Sequence, residues 1–253
     1  MRIVALGTGT SQGVPMIGCK CDVCLSGDSQ DKRLRSSIYI ETNEAKILID
    51  IGPDFRTQFL SNNIDSIDMA LITHEHNDHI IGLDDIRAIN FTQKKSIPIY
   101  AEERVATQLK DRFAYAFNRK IPGLPKVDMI NIEEFNDFTY KDVNISPVRV
   151  MHGRLPILAY RLNDLSYITD ANYIDEASIN KLRGSKVLII NALRTDPHPT
   201  HFNLNQALEM IEILNPDKAY ITHVSHAMGL TKEWSKLLPD NVFALSDGMQ
   251  INI

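Results

Sequence analysis

Cysteine is scarce in this 253-residue chain, with three residues confined to Cys19, Cys21 and Cys24. Three thiols cannot all pair, and their crowding excludes a disulfide framework. No apolar run approaches the ~20 residues that a membrane span needs. The stretch from Ile3 to Leu6 is too short for the core of a signal peptide. An excess of basic residues is also missing: Lys and Arg number 27 against 32 Asp and Glu, a formal charge of −5. A chain of that balance has no general electrostatic reason to hold nucleic acid or an anionic membrane, although local positive sites remain open. Low-complexity tracts, long linkers and short-period repeats are absent as well. What remains is 43% hydrophobic and 23% charged, the make-up of a globular protein long enough to bury a sizeable core. The expectation is a cytoplasmic protein of one large domain or two small ones.

Strands and helices interleave along the chain. Strand-like runs cover Arg2 to Leu6, Ser37 to Glu41, Lys46 to Ile51, Ile67 to Thr73 and Ile97 to Ala101. The second half repeats this order at Val143 to Val150, Ile157 to Leu162, Ser166 to Thr169, Lys186 to Ala192, Lys218 to Thr222, Val242 to Leu245 and Met249 to Ile253. Gly52-Pro53-Asp54 reads as a helix start with Pro in the first turn. Further helices are expected after Ala101 to about Ala116, over Ile174 to Arg183, and over Leu204 to Leu214, where Pro216 stops the last. The pattern predicts two sheets packed together with helices outside, and local structure beside them over 94–140.

The densest chemistry is His74-Glu75-His76-Asn77-Asp78-His79, directly after an apolar strand. Residues two apart in extended backbone project to one side, so His74 and His76 can grip one cation. Asp78 and His79 follow as the chain turns and can aim at a second. Imidazole and carboxylate together suit Zn, Fe or Mn. Six residues cannot complete two coordination shells. His152, Asp170 and His223 each lie just beyond a predicted strand and supply further ligand atoms. Cys19, Cys21 and Cys24 offer three thiolates to a soft cation such as Zn, which wants four ligands. His226, three residues after His223, is a suitable fourth.

The His-x-His-x-Asp-His run, with the three later ligands at increasing distance, resembles the metallo-β-lactamase superfamily of binuclear hydrolases over essentially the whole chain. The resemblance implies an α/β fold, a four-layer αββα sandwich spanning residues 1–253, with a Cys-rich zinc-binding loop at about 18–25. It implies that His74, His76 and His152 hold one cation, that Asp78, His79 and His223 hold the other, and that Asp170 bridges them. Asp50 matches the family Asp that orients a ligating His. The segments Gly7-Thr8-Gly9-Thr10-Ser11-Gln12-Gly13-Val14-Pro15, Gly18-Cys19-Lys20-Cys21, Gly52-Pro53-Asp54-Phe55-Arg56, Asn191-Ala192-Leu193-Arg194, His198-Pro199-Thr200-His201-Phe202 and Asp247-Gly248-Met249 are similar to the PhnP-type branch. That branch contains cyclic phosphodiesterases that act on phosphoribosyl 1,2-cyclic phosphate. It implies a structural Zn on Cys19, Cys21, Cys24 and His226, two Mn, Zn or Fe ions in the active site, and a homodimer. The Gly-rich loop lacks the Gly-Lys-[Ser/Thr] ending of a phosphate-binding P-loop.

Two divalent ions less the charges of Asp78, Asp170 and a bridging hydroxide leave about one positive charge, which suits a small anionic phosphodiester. The hydroxide would attack phosphorus, and the leaving alkoxide needs a proton. His201 is the expected general acid, a role the resemblance supports, and His198 is its rival in the same loop. Arg194 is a candidate phosphate contact. The alternatives are a tRNA 3′-processing-like nuclease, a thioester hydrolase, a β-lactamase, a di-iron oxygen reductase and a non-catalytic metal-stabilised binding protein. The first lacks a basic arm here, and the last lacks the ligand loss that would suggest it.

Overall fold

A computed structural model describes residues 1–117 and 123–253. The strands are β1 (Arg2–Gly7), β2 (Ser37–Glu41), β3 (Lys46–Ile49), β4 (Met69–Leu71), β5 (Ile97–Ala101), β6 (Val127–Asn131) and β7 (Phe138–Tyr140), then β8 (Val143–His152), β9 (Leu155–Leu162), β10 (Leu165–Ile168), β11 (Val187–Asn191), β12 (Lys218–Thr222), β13 (Val242–Ala244) and β14 (Gln250–Asn252). The helices are α1 (Asp22–Leu25), α2 (Phe55–Ser61), α3 (Asn77–Ile80), α4 (Ile86–Gln93), α5 (Glu103–Arg112), α6 (Glu176–Leu182), α7 (Leu204–Leu214) and α8 (Thr231–Trp234). One sheet runs β14-β1-β2-β3-β4-β5-β6, and the other runs β13-β12-β11-β10-β9-β8-β7.

The apolar pattern explains the layering. Central strands are apolar on both faces, as strands covered on both sides must be. In β1, Ile3 and Ala5 face the space between the sheets, while Val4 and Leu6 pack under the outer helices. In β11, Val187 and Ile189 face inward, while Leu188 and Ile190 pack against the opposite helical layer. Three apolar seams therefore bind four layers, in the order helix, sheet, sheet, helix. This is the αββα sandwich that the resemblance implied. Helix α7 is set by a capping box, in which Asn203 and Gln206 satisfy each other's backbone N–H. Its last residue is followed by Asn215 in left-handed backbone, ahead of Pro216.

Three local expectations are corrected. Pro53 precedes the helix cap Asp54 and so lies outside the first turn of α2. The apolar run from Ile67 forms only the short β4, because its continuation leaves the sheet to reach the neighbouring one. Tyr160 Oη donates to the Ile72 carbonyl at 2.6 Å, and Leu158 N–H donates to the Thr73 carbonyl at 3.1 Å. The described part of 94–140 does not stand beside the sandwich. It supplies β5 and β6 to one sheet and the edge strand β7 to the other. Residues 118–122 of that expectation lie outside the described residues.

Candidate metal centre

The two sheets meet at one end, where loops after β3, β4, β8, β10 and β12 converge. The crossing of residues 72 and 73 places His74 between the sheets, fully buried. Extended backbone carries His76 out, and α3 turns the chain so that Asp78 and His79 face back. That turn is pinned from below: Ile51 N–H donates to the His79 carbonyl at 2.7 Å. Gly52 makes this approach possible, since a Cβ there would stand 2.3 Å from the Asp78 carbonyl oxygen. On the opposite side, Thr10 N–H donates to the Val224 carbonyl at 3.2 Å and Val224 N–H to the Thr8 carbonyl at 2.9 Å. The Gly-rich loop thus ties the end of β1 to the segment that carries His223. Asp50, Asp170 and His223 have φ of 65°, 58° and 57°. Left-handed backbone is costly for residues with a Cβ, and here it swings three functional side chains off strand ends into one space.

The ligand atoms gather in overlapping sets, each within 4.8 Å: His74, His76 and His152; His74, His79 and Asp170; Asp78, Asp170 and His223; and His152, Asp170 and His201. Asp170 belongs to three of them, so it sits where both halves meet. Its Oδ2 lies 3.1 Å from His79 Nε2 and its Oδ1 3.3 Å from His223 Nε2. Among the described residues, the buried Nε2 atoms of His74, His79 and His223 have no hydrogen-bond partner. Buried polar nitrogens without partners are costly. Several of them converging on two carboxylates is a donor set that fits divalent cations.

The opposite ring nitrogens fix the tautomers. His79 Nδ1 faces Asp50 Oδ2 at 2.6 Å, and His152 Nδ1 donates to the Thr200 carbonyl at 2.8 Å. His223 Nδ1 faces the Ser36 hydroxyl at 3.2 Å, and that hydroxyl itself donates to the Gly9 carbonyl at 2.9 Å. In His152 and His223 the hydrogen stays on Nδ1 and the lone pair stays on Nε2, toward the shared space, and at His79 the Nδ1 hydrogen is held by Asp50. Asp50 also accepts Thr73 N–H at 2.8 Å and the Thr73 hydroxyl at 2.9 Å. Burial holds His74 well below the usual histidine range, pushes His152 down, and pushes His223 down to about 4. These rings are neutral near pH 7, the state in which imidazole binds a metal. Burial also lowers His79, but Asp78, Asp170 and Asp50 more than reverse it and hold that ring well above the usual range.

The hydroxyls and carbonyl that orient these rings were not singled out from sequence, although a signal was present. Thr73, Thr169, Thr200 and Thr222 each immediately precede His74, Asp170, His201 and His223. Thr73 and Thr169 lie just past strand ends and leave hydroxyls 2.9 Å from His74 Nδ1 and 3.4 Å from His223 Nδ1, and the Thr200 hydroxyl lies 3.0 Å from His201 Nδ1.

Cys19, Cys21, Cys24 and His226 form a second compact group, with all four ligand atoms within 4.8 Å. His226 Nδ1 is 3.4 Å from both Cys19 Sγ and Cys21 Sγ. A hydrogen bond from Cys24 and the nearness of His226 lower the Cys21 thiol to about 6, while burial raises Cys24 to about 11. Helix α1 supplies the short turn between Cys21 and Cys24. Three thiolates and one imidazole are a donor set that suits a tetrahedral soft cation such as Zn.

The remaining two expected residues share one loop. His201 is half-buried, with Nε2 3.2 Å from Asp170 Oδ1. Arg194 donates from Nε to the Asp196 carbonyl at 3.2 Å and from Nη2 to the Pro197 carbonyl at 2.7 Å. The side chain expected at a phosphate therefore spends two donor groups bracing its own loop. His198, the rival expected in the same loop, lies against His201 with Nδ1 atoms 3.1 Å apart.

Comparison with known proteins agrees with this geometry. The family described as the β-lactamase superfamily domain matches residues 45–224, which takes in the His and Asp cluster and leaves the Cys group outside. A protein of Porphyromonas gingivalis named octanoyltransferase is 41% identical over 99% of this chain, and the chain spans 51% of that protein's length. The crystal structure of a diphosphatase from the PhnP family superposes with a TM-score of 0.93 at 37% identity, covering 100% of this chain and 97% of the other. The short form of human tRNase Z superposes with a TM-score of 0.73 at 18% identity, covering 100% and 99%, a likeness of fold alone. No helix among the described residues is long and apolar enough to cross a membrane. The chain belongs to the β-lactamase superfamily, within its PhnP branch, and carries that family's metal-dependent hydrolase fold.

Proposed function

We propose that the chain hydrolyses small anionic phosphodiesters, cyclic ones of the phosphoribosyl 1,2-cyclic phosphate kind, with His201 as general acid. His74, His76, His152, Asp170, Asp78, His79 and His223 would hold two divalent ions. These would supply Lewis acidity and hydroxide at neutral pH. Cys19, Cys21, Cys24 and His226 would hold a third ion in a structural role. The observation that carries the reading is the placement of His201. Its Nε2 lies 3.2 Å from Asp170 Oδ1, the carboxylate common to both halves of the cluster, while its Nδ1 is turned to its own loop. In the reaction, the oxygen of water bonds to phosphorus and the bond from phosphorus to the leaving oxygen breaks. His201 gives the Nε2 proton to that oxygen, and the ring regains one from the water consumed. With a formal charge of −5, the chain has no general basic excess to hold a long polyanion.

A second reading has one observation in its favour. The PhnP-family structure at 37% identity is a diphosphatase, and the same residues would serve a phosphoanhydride. The test is a panel of phosphoribosyl 1,2-cyclic phosphate, a nucleoside diphosphate and precursor tRNA, assayed with Mn, Zn and Fe in turn. The proposal expects the highest kcat/KM on the cyclic diester and at least a hundredfold loss of kcat in His201→Ala with metal content retained. Preference for the diphosphate would favour the second reading, and preference for precursor tRNA would overturn both.

A further inference from the structure

His198 is the histidine that neither metal group nor the acid position uses, and its contacts are specific. His198 Nδ1 accepts the backbone N–H of Thr200 at 3.4 Å. A backbone N–H cannot reverse its direction, so this nitrogen carries a lone pair. His201 Nδ1 lies 3.1 Å away. Two lone pairs facing each other at that distance would repel, so His201 Nδ1 bears the hydrogen and donates it. The Thr200 hydroxyl is 3.3 Å from His198 Nδ1 and 3.0 Å from His201 Nδ1, and it closes a triangle around that hydrogen. Burial, then His201 and Arg194, hold His198 below the usual histidine range, which keeps it neutral and accepting. The loop is stiff at this point. Pro197 and Pro199 flank the residue, and Arg194 pins the two carbonyls just before it.

We propose that His198 is a positioning residue for the acid: by accepting the His201 Nδ1 hydrogen, it fixes the ring's tautomer and plane, so that the transferable proton leaves from Nε2, the nitrogen facing Asp170. The inference rests on the reading of His201 as general acid. A neutral acceptor orients the ring without adding a negative charge beside it. In the step itself, the proton moves from His201 Nε2 to the leaving oxygen as its bond to phosphorus breaks. His198 exchanges no proton and only holds the other end of the ring.

The test uses leaving groups. An alkoxide needs the proton, and a nitrophenolate leaves with little help. Metal-loaded His198→Phe, His198→Asn and His201→Ala are compared with the parent on phosphoribosyl 1,2-cyclic phosphate and on bis(p-nitrophenyl) phosphate. Metal content and Tm are measured on each. His198→Phe keeps a ring without an acceptor, and His198→Asn keeps an acceptor. The expected result is a fall of about tenfold or more in the ratio of alkyl to aryl kcat for His198→Phe, in kcat rather than KM. His198→Asn should recover most of that ratio. Equal losses on both substrates in His198→Phe, or no recovery in His198→Asn, would overturn the positioning role. In those cases a selective alkyl loss in His201→Ala leaves the acid reading standing. An unselective loss in His201→Ala overturns the acid reading and the inference with it.

Discussion

Replacing Asp50 by Asn tests whether the cluster's geometry is set from beneath its ligands. Asp50 is fully buried and its two oxygens have separate duties: Oδ1 takes Thr73 N–H at 2.8 Å, and Oδ2 takes His79 Nδ1–H at 2.6 Å. An amide has one oxygen. If it stays on the Thr73 N–H, the NH2 group faces His79 and drives the hydrogen from Nδ1 to Nε2, the nitrogen meant for the cation. If it flips, a buried backbone N–H faces an NH2 group. A hydrogen bond to a charged partner is worth about 1.5–3 kcal/mol. That range matches a loss of about 10- to 100-fold in affinity, the usual effect of removing a residue that orients a ligating His. The assay is competition against a chromophoric chelator, with elemental analysis of the retained ions. One active-site cation should weaken by that factor while the ion at the Cys group stays. Parent-like affinity for both active-site cations in Asp50→Asn would refute the reasoning.

Gly52→Ala places a Cβ about where only 2.3 Å separates it from the Asp78 carbonyl oxygen. The strain should cost about 1–3 kcal/mol, read as a lower urea midpoint, with weaker metal retention because Asp78 shifts. Cys24→Ala removes one of four donors from the Cys group. Elemental analysis should then show one Zn fewer per chain and thermal melts a lower Tm, with the other ions kept. Acid acts on the fold through opposed buried groups: burial pushes Asp247 up to about 6, so the folded state takes that proton first and gains stability as pH falls, while His223 works the other way. His223 has a folded pKa of about 4 against ~6.5 unfolded, so the unfolded chain takes the proton first. Stability from this residue is full above ~6.5 and is lost as pH falls toward 4, by roughly 3 kcal/mol. His74 shifts in the same direction, and urea melts at pH 7.0, 5.5 and 4.5 should show the midpoint of the parent falling further than that of His223→Gln. An equal change with pH in the two proteins would count against a neutral buried ring at His223.

Much of the architecture was legible because its strands are apolar on both faces and bounded by polar turns. β5, α7 and β12 run between the residues expected from pattern alone. β6 and β7 were not legible. Their residues are mostly half-exposed, so no clean alternation marks them, and only pairing with β5 and β8 makes them strands. Helix α4 was missed for a related reason: only Ile86 and Ile89 bury an apolar side chain, too few to show a helical period. At the site, the ligand types were plain in sequence, and the loop residues were not. The charge of Arg194 is visible in sequence, and the two carbonyls of its own loop that take its Nε and Nη2 donors are not.

The sequence by itself determined which atoms can bind a metal. Imidazole, carboxylate and thiolate carry their ligand chemistry wherever they stand, and their crowding at 74–79 and 19–24 needs no fold to be seen. Tertiary structure decided which atoms share a cation and which nitrogen each ring presents. Cys19 and His226 stand 207 positions apart, and His223 and Ser36 are 187 apart. Only closure of the two sheets brings such pairs within bonding distance. The left-handed backbone at Asp50, Asp170 and His223 is likewise held by that closure, because no local preference of Asp or His would hold it alone.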